Sequence, residues 1–236
     1  MPDFAEQPSL FDLGTTRSAL GANRLRERFA RGGADAMPDD ELLELLLIGA
    51  APVLDTARLA RALLERFGDL GGVLSAPPDM LATVPGLGRA AFDLTLTNAV
   101  IRRALRAKAM NRPVVSSWQA LLDYCQATLG RERTERFRVL FLDAKNVLIA
   151  DEEQAKGTVD HVPVYPREVV KRALELGAKA LILVHNHPSG DPTPSETDRT
   201  LTKRISEACD LLDIVLHDHI VIGRGREVSF RAEGYL

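Results

Sequence analysis

The chain is poor in cysteine: Cys125 and Cys209 are the only two in 236 residues. Two thiols cannot build a disulfide framework. Neither has a Cys or His neighbour at zinc-finger spacing, so both read as ordinary semi-buried thiols. No hydrophobic run approaches the roughly 20 residues that a membrane helix needs. The start, MPDFAEQPSLFDL, lacks the basic and apolar regions of a signal peptide. These absences predict a cytoplasmic protein with no membrane partner. Internal repeats and low-complexity segments are missing as well. Charge of one sign is also lacking: 30 Lys and Arg stand against 33 Asp and Glu, for a net charge of -3. That balance argues against strong global attraction to nucleic acid. A hydrophobic fraction of 45% is enough for real cores, and the length suits one large or two small domains.

Histidine is scarce too, with five in the chain, yet two of them lie two apart in LILVHNHPSGDPTPSETD. The run Leu181-Ile182-Leu183-Val184 is short, apolar and β-branched, which predicts a buried strand delivering His185 and His187 at its C-terminal end. Strand residues i and i+2 share a face, so both imidazoles can converge on one ion. Pro188, Gly190, Pro192 and Pro194 turn the chain back, and Asp198 arrives as a third ligand. Two neutral nitrogens and a carboxylate suit a catalytic zinc that keeps its fourth position for water. Ser195-x-x-Asp198 is also a helix-capping signature, ahead of Leu201, Ile205, Ala208 and Leu212 at helical spacing. Packed core histidines are the plain alternative for the His pair. Asp191 could ligate, but its Gly-Asp-Pro context is equally that of a turn. His217-Asp218-His219 is a second His-x-His in an alternating strand with no third ligand downstream, and reads as structural. His161 is a lone histidine in a β-like stretch.

The spacing His-x-His-x7-Ser-x2-Asp resembles the JAMM (MPN-type) metalloprotease signature. The stretches ERFRVLFLDAKN, VDHVPVYPREVVKRALELGAKALILVHNHPSGDPTPSETD and LHDHIVIGRGREVSF resemble the bacterial RadC family in particular. The resemblance implies an α/β MPN domain (JAMM, cytidine-deaminase-like) and a zinc-dependent hydrolase. It also implies a distant glutamate as general base. The candidates are Glu132, Glu135, Glu152, Glu153 and Glu168. Glu135, directly ahead of the strand-like Phe137 to Leu142, matches the family position. Glu168, after Pro166 in the first turn of an expected helix from Pro166 to Leu176, is its main rival, although the helix dipole alone favours a carboxylate there. In the implied mechanism zinc acidifies a water, Glu135 takes its proton, and Ser195 donates to the oxyanion as an amide or peptide bond is cleaved. The substrate is then a peptide or protein whose identity the sequence does not give.

Along the chain, residues 1–20 read as a polar, flexible tail. Residues 21–110 carry helical patterns, with an acidic start at Asp39-Asp40-Glu41 and another helix from Thr56 to Phe67. Residues 114–236 mix strands and helices, giving an α+β chain of two domains, the first all-α. Leu81 to Ala90, with the turn Pro85-Gly86-Leu87-Gly88, resembles the helix-hairpin-helix element of DNA-binding proteins. Gly86 and Gly88 let the backbone turn and expose amides to a phosphate. Arg89, Arg102, Arg103, Arg106, Lys108 and Arg112 then face Asp93 alone, so a local basic stretch could make weak, sequence-independent DNA contacts. An interhelical turn followed by a solvated basic helix explains the same residues. Two functions follow: a zinc metallopeptidase, or a DNA-repair accessory protein whose metal centre is structural or acts on nucleic acid, in keeping with the family's association with DNA repair.

Overall fold

The computed structural model describes residues 10–50, 55–110, 113–156 and 164–236. His161 and Arg112 therefore lie outside the described residues. The chain divides into two compact units between Asn98 and Ala99.

The first unit holds α1 (Leu10–Gly32), α2 (Asp39–Ala50), α3 (Thr56–Phe67), the short α4 (Leu70–Leu74) and α5 (Pro78–Ala82), and the start of α6 (Ala90–Met110). Its core gathers Leu43 and Leu47 of α2, Leu59 and Leu63 of α3, then Val73, Leu81, Val84, Leu87, Ala90 and Leu94. The acidic first turn of α2 faces the positive end of the helix dipole. Asp55 caps α3 by accepting from the Arg58 amide at 3.1 Å. A helix begins at Leu10, inside the stretch read as a tail. Leu10, Leu13 and Leu20 fall at helical spacing. The division between the two compact units falls within α6. One uninterrupted helix supplies Ala90, Ala91 and Leu94 to the first core and Leu105, Ala109 and Met110 to the second.

The second unit continues with α7 (Trp118–Leu129), β1 (Arg136–Leu142), β2 (Leu148–Lys156), α8 (Pro166–Leu176), β3 (Ala180–Asn186), α9 (Glu196–Asp210), β4 (Val215–Ile222) and β5 (Glu227–Ser229). The sheet runs β2-β1-β3-β4-β5. The β3–β4 pair is parallel and the other pairs are antiparallel. Every residue of the central strand β3 is buried, as its continuous apolar run predicts. Its even positions, Ile182 and Val184, meet Leu140, Leu142, Ile220 and Ile222 in a core closed by Leu121, Cys125 and Leu129 of α7. Its odd positions, Leu181 and Leu183, meet Phe137, Val139 and Phe141 under Val169 and Ala173 of α8 and Ile205 and Cys209 of α9. His185 continues that odd row, and so emerges on the α8–α9 face of the sheet. Both cysteines are buried, and burial pushes the Cys209 thiol up to about 11. No helix among the described residues is long and apolar enough to cross a membrane.

Candidate metal centre

Among the described residues, His185, His187 and Asp198 form the one group of three or more His, Cys, Asp or Glu side chains able to share an ion. His185 Nε2 and His187 Nε2 lie 3.0 Å apart. His185 Nε2 is 3.4 Å from Asp198 Oδ1, and His187 Nε2 is 3.5 Å from Asp198 Oδ2. Ligands about 2.0–2.1 Å from a tetrahedral zinc are roughly 3.3–3.4 Å from one another. The two Asp198 contacts use different carboxylate oxygens, and the three residues together lie within reach of one shared ion.

Each ligand is held from behind. The His187 amide donates to Ile222 O at 3.0 Å, which fastens the turn to the end of β4. His187 Nδ1 lies 2.8 Å from Asp191 O. A carbonyl can only accept, so Nδ1 carries the proton and Nε2 of the neutral ring keeps its lone pair for the site. The 187–195 loop is clasped against the β4–β5 turn by Arg224 N donating to Gly190 O at 3.0 Å. The approach is so close that a Cβ on Gly223 would meet Gly190 O at 2.5 Å and Pro192 Cδ at 2.7 Å.

Asp198 is placed by a complete capping box at the start of α9. Ser195 N and Ser195 Oγ both donate to Asp198 Oδ2, at 2.7 and 2.6 Å, and Asp198 N donates back to Ser195 Oγ at 3.1 Å. The capping signature is thus real, and it positions the ligand. Burial opposes ionisation of Asp198. The neighbouring His185 and His187 rings, with the Ser195 hydroxyl, outweigh it and hold the carboxyl well below the usual range. His187 is correspondingly raised, first by its bond to Asp198 against its own desolvation, then by Asp191 O and the charges of Asp198 and Glu135.

The second His-x-His does not form a site of its own. The β3–β4 register slips between Leu216 and Asp218, leaving His217 as a bulge residue. His217 bonds Asn146 Oδ1 at 2.6 Å, and Asp218 accepts from the His219 and Arg231 amides and from Ser229 Oγ. His219 is buried behind His185, with its Nε2 2.8 Å from His185 Nδ1. Burial holds it well below its ordinary pKa, so the ring is neutral. Nothing local in the sequence tied His219 to the first pair. Asp191 directs its carboxylate to Thr193 N and Oγ1 rather than to the other ligands, and contributes only its carbonyl.

The glutamates separate by their partners. Glu132 pairs with Arg136, Glu153 with Arg136 and Arg138, and Glu152 with Arg172. Glu168 pairs with Arg167 in the first turn of α8. Glu135 precedes β1, two residues before Phe137, whose register partner is His185, and its charge acts on His187. The asparagine between the histidines fixes that segment. Asn186 Oδ1 accepts from Arg136 N at 3.0 Å, while Nδ2 donates to Glu132 O and Thr134 O at 3.3 and 3.2 Å. As an even residue of β3, Asn186 ties the Glu135 loop to the strand that carries the ligands.

In the first unit the Pro85–Gly88 turn leads into α6, with Gly86 and Gly88 at φ 82° and 48°, a region that favours glycine. Arg89, Arg103 and Arg106 are exposed. Arg102 is not available in the same way. It donates to Thr128 O at 2.9 Å and faces Glu132, because its position on α6 turns it toward α7.

A His-His-Asp cluster able to share an ion at the end of a mixed sheet, with a glutamate ahead of the neighbouring strand, is the arrangement of a JAB-type domain. Residues 115–235 match the family model of the RadC-like JAB domain, and residues 18–92 match that of the UPF0758 N-terminal domain. A UPF0758 protein of Rhodobacter capsulatus is 63% identical over 213 residues, covering 90% of this chain and all of the relative. Another from Ruegeria pomeroyi is 62% identical over 214 residues, covering 90% of this chain and 96% of that one. The chain belongs to the RadC (UPF0758) family.

Proposed function

We propose that the protein is a zinc-dependent hydrolase of the JAMM type that cleaves an amide or peptide bond in a peptide or protein substrate. The observation that carries this reading is the convergence of His185, His187 and Asp198 within reach of one ion, with the charge of Glu135 close enough to act on His187. Zinc bound by His185, His187 and Asp198 supplies a water acidified toward neutrality and polarisation of the scissile carbonyl. Glu135 takes the proton of the attacking water and returns it to the leaving amine. The Ser195 hydroxyl, which otherwise donates to Asp198 Oδ2, turns to the oxyanion of the tetrahedral intermediate. The test is Glu135→Gln, measured for zinc content and for turnover of a peptide found by a cleavage screen. The variant keeps its zinc and loses about 10²–10⁴ in rate, because the amide preserves shape and cannot take a proton. Normal turnover by Glu135→Gln together with an inactive Glu168→Gln would move the base to α8. Full activity in both would end the assignment of either glutamate as the base, and the absence of any cleaved peptide for the parent would end the hydrolase reading.

A second reading rests on exposed basic side chains, Arg89 after the Pro85–Gly88 turn and, separately, Arg103 and Arg106 on α6: weak contact with DNA backbone. Each phosphate neutralised adds about 0.9 to the slope of log K against log salt. Neutralising Arg103 and Arg106 in the full chain therefore flattens the salt dependence of binding to duplex DNA. Absent or salt-insensitive binding would leave the turn a purely structural element.

A further inference from the structure

His185 presents a nitrogen to the ligand triangle and buries the other, and that buried nitrogen begins a closed chain of hydrogen bonds. His185 Nδ1 meets His219 Nε2 at 2.8 Å, and His219 Nδ1 meets Thr202 Oγ1 at 2.6 Å. Thr202 Oγ1 lies 2.6 Å from Asp198 O, one turn back on α9. His185, Thr202 and His219 are all buried at 1% exposure or less. Phe137 stacks on His185 and meets His219 edge-on, and Phe230 stacks on the other side of His219, so neither ring is free to turn.

The direction of every bond follows from its last member. A carbonyl only accepts, so Thr202 spends its single hydroxyl proton on Asp198 O. The hydroxyl oxygen must then accept from His219, which places the proton of the neutral imidazole on Nδ1. His219 Nε2 is left with a lone pair and accepts from His185 Nδ1–H. His185 Nε2 is thereby left without a proton and faces His187 and Asp198. We propose that His219 and Thr202 are positioning residues that lock His185 in its metal-binding tautomer. The relay starts at the backbone of Asp198 and ends on His185, so one ligand's main chain dictates the protonation of another's ring. His187 reaches the same tautomer independently through Asp191 O.

The inference rests on the metal reading for its purpose, but its tautomer prediction holds in the metal-free protein. Thr202→Val removes the hydroxyl at nearly constant shape. His219 Nδ1–H then has no acceptor, its proton moves to Nε2, and His185 is driven to carry its own proton on Nε2, where a metal would bind. Two measurements test this on the full chain. Long-range proton–nitrogen NMR of the metal-free protein at mildly alkaline pH finds His185 protonated on Nδ1 in the parent and in Thr202→Ser, and shifted to Nε2 in Thr202→Val. Competition titration with zinc alone finds affinity reduced about 10- to 100-fold in Thr202→Val and restored in Thr202→Ser. His219→Gln, whose amide can accept from His185 and donate to Thr202, retains more zinc affinity than His219→Leu. An unchanged His185 tautomer in Thr202→Val overturns the relay, as does zinc affinity within twofold of the parent. Failure of the parent to bind zinc, with the tautomers as described, would instead overturn the metal reading and leave the relay standing.

Discussion

Asn186 offers the sharpest separation between holding the metal and placing the base. Its side chain is 1% exposed and spans from β3 to the Glu132–Arg136 segment through three hydrogen bonds. Asn186→Leu keeps similar volume and removes all three. The Arg136 amide loses its acceptor. The Glu132 and Thr134 carbonyls lie in a half-exposed segment, so water can replace their lost donor. A net loss of about 1 kcal/mol for each of the two solvated bonds, and about 1–3 for the donor left dry, sums to about 3–5 kcal/mol. At roughly 2–4 °C per kcal/mol that lowers the Tm by about 6–20 °C. The ligands keep their own supports: Asp191 O behind His187, His219 behind His185 and the capping box around Asp198. Zinc stoichiometry therefore stays at the parental value, while turnover falls as Glu135 drifts, since a displacement near 1 Å can cost about 10²-fold. Calorimetry, metal analysis and turnover are measured on the same preparation. Zinc lost in step with turnover would mean that Asn186 supports the whole strand end, and unchanged turnover would mean that it does not place the base.

Gly223→Ala forces the 187–195 loop outward by several tenths of an ångström, because backbone and proline atoms occupy the Cβ position; destabilisation of about 1–3 kcal/mol with weakened zinc binding is expected, and unchanged melting and affinity would refute the clasp. Asp198→Asn keeps an acceptor for the Ser195 amide and loses the zinc, whereas Ser195→Ala loses about 0.5–2 kcal/mol of helix capping and keeps the zinc; metal analysis beside thermal melts separates the two. For pH, His187 is raised above 6.5, so in the metal-free protein its pairing with Asp198 stabilises fully below 6.5 and fades as pH rises through the raised value. Asp198, held below 3.8, contributes above 3.8 and is lost only as pH falls through its depressed value. Zinc must displace the His187 proton, so its apparent affinity climbs with pH by up to about tenfold per unit until His187 is neutral; a flat profile across that range would contradict the assignment.

How much of this was legible depended on whether the partners are neighbours in the chain. The ligands sit within one strand end and turn, and strand period plus proline and glycine placement suffice to bring them together. The helix from Pro166 to Leu176 and the strand ahead of Asp143 were equally readable from caps and periodicity. His219 is 34 residues from His185 and reaches it only because β4 runs parallel to β3 with a bulge at His217. That register is a tertiary property, so the contact of His219 with His185 went unseen when His217-Asp218-His219 was read on its own. Asn186 was invisible for a related reason: its three partners are backbone groups 50 to 54 residues away, which carry no side-chain signature.

Capping and metal binding at Ser195-x-x-Asp198 read as alternatives in the sequence, and under the proposed function they are one device. The carboxylate has two oxygens and divides the work. Oδ2 receives both Ser195 donors and so anchors the first turn of α9, while Oδ1 faces His185 and Oδ2 also lies toward His187. The same helix carries Thr202 one turn later, whose hydroxyl sets the protonation of His185 through His219. The entry of α9 therefore supplies one ligand directly and tunes a second indirectly, and Thr202 and Ile205 bury it against the sheet from which the histidines emerge. Loosening that helix start would disturb ligand position and ligand protonation together.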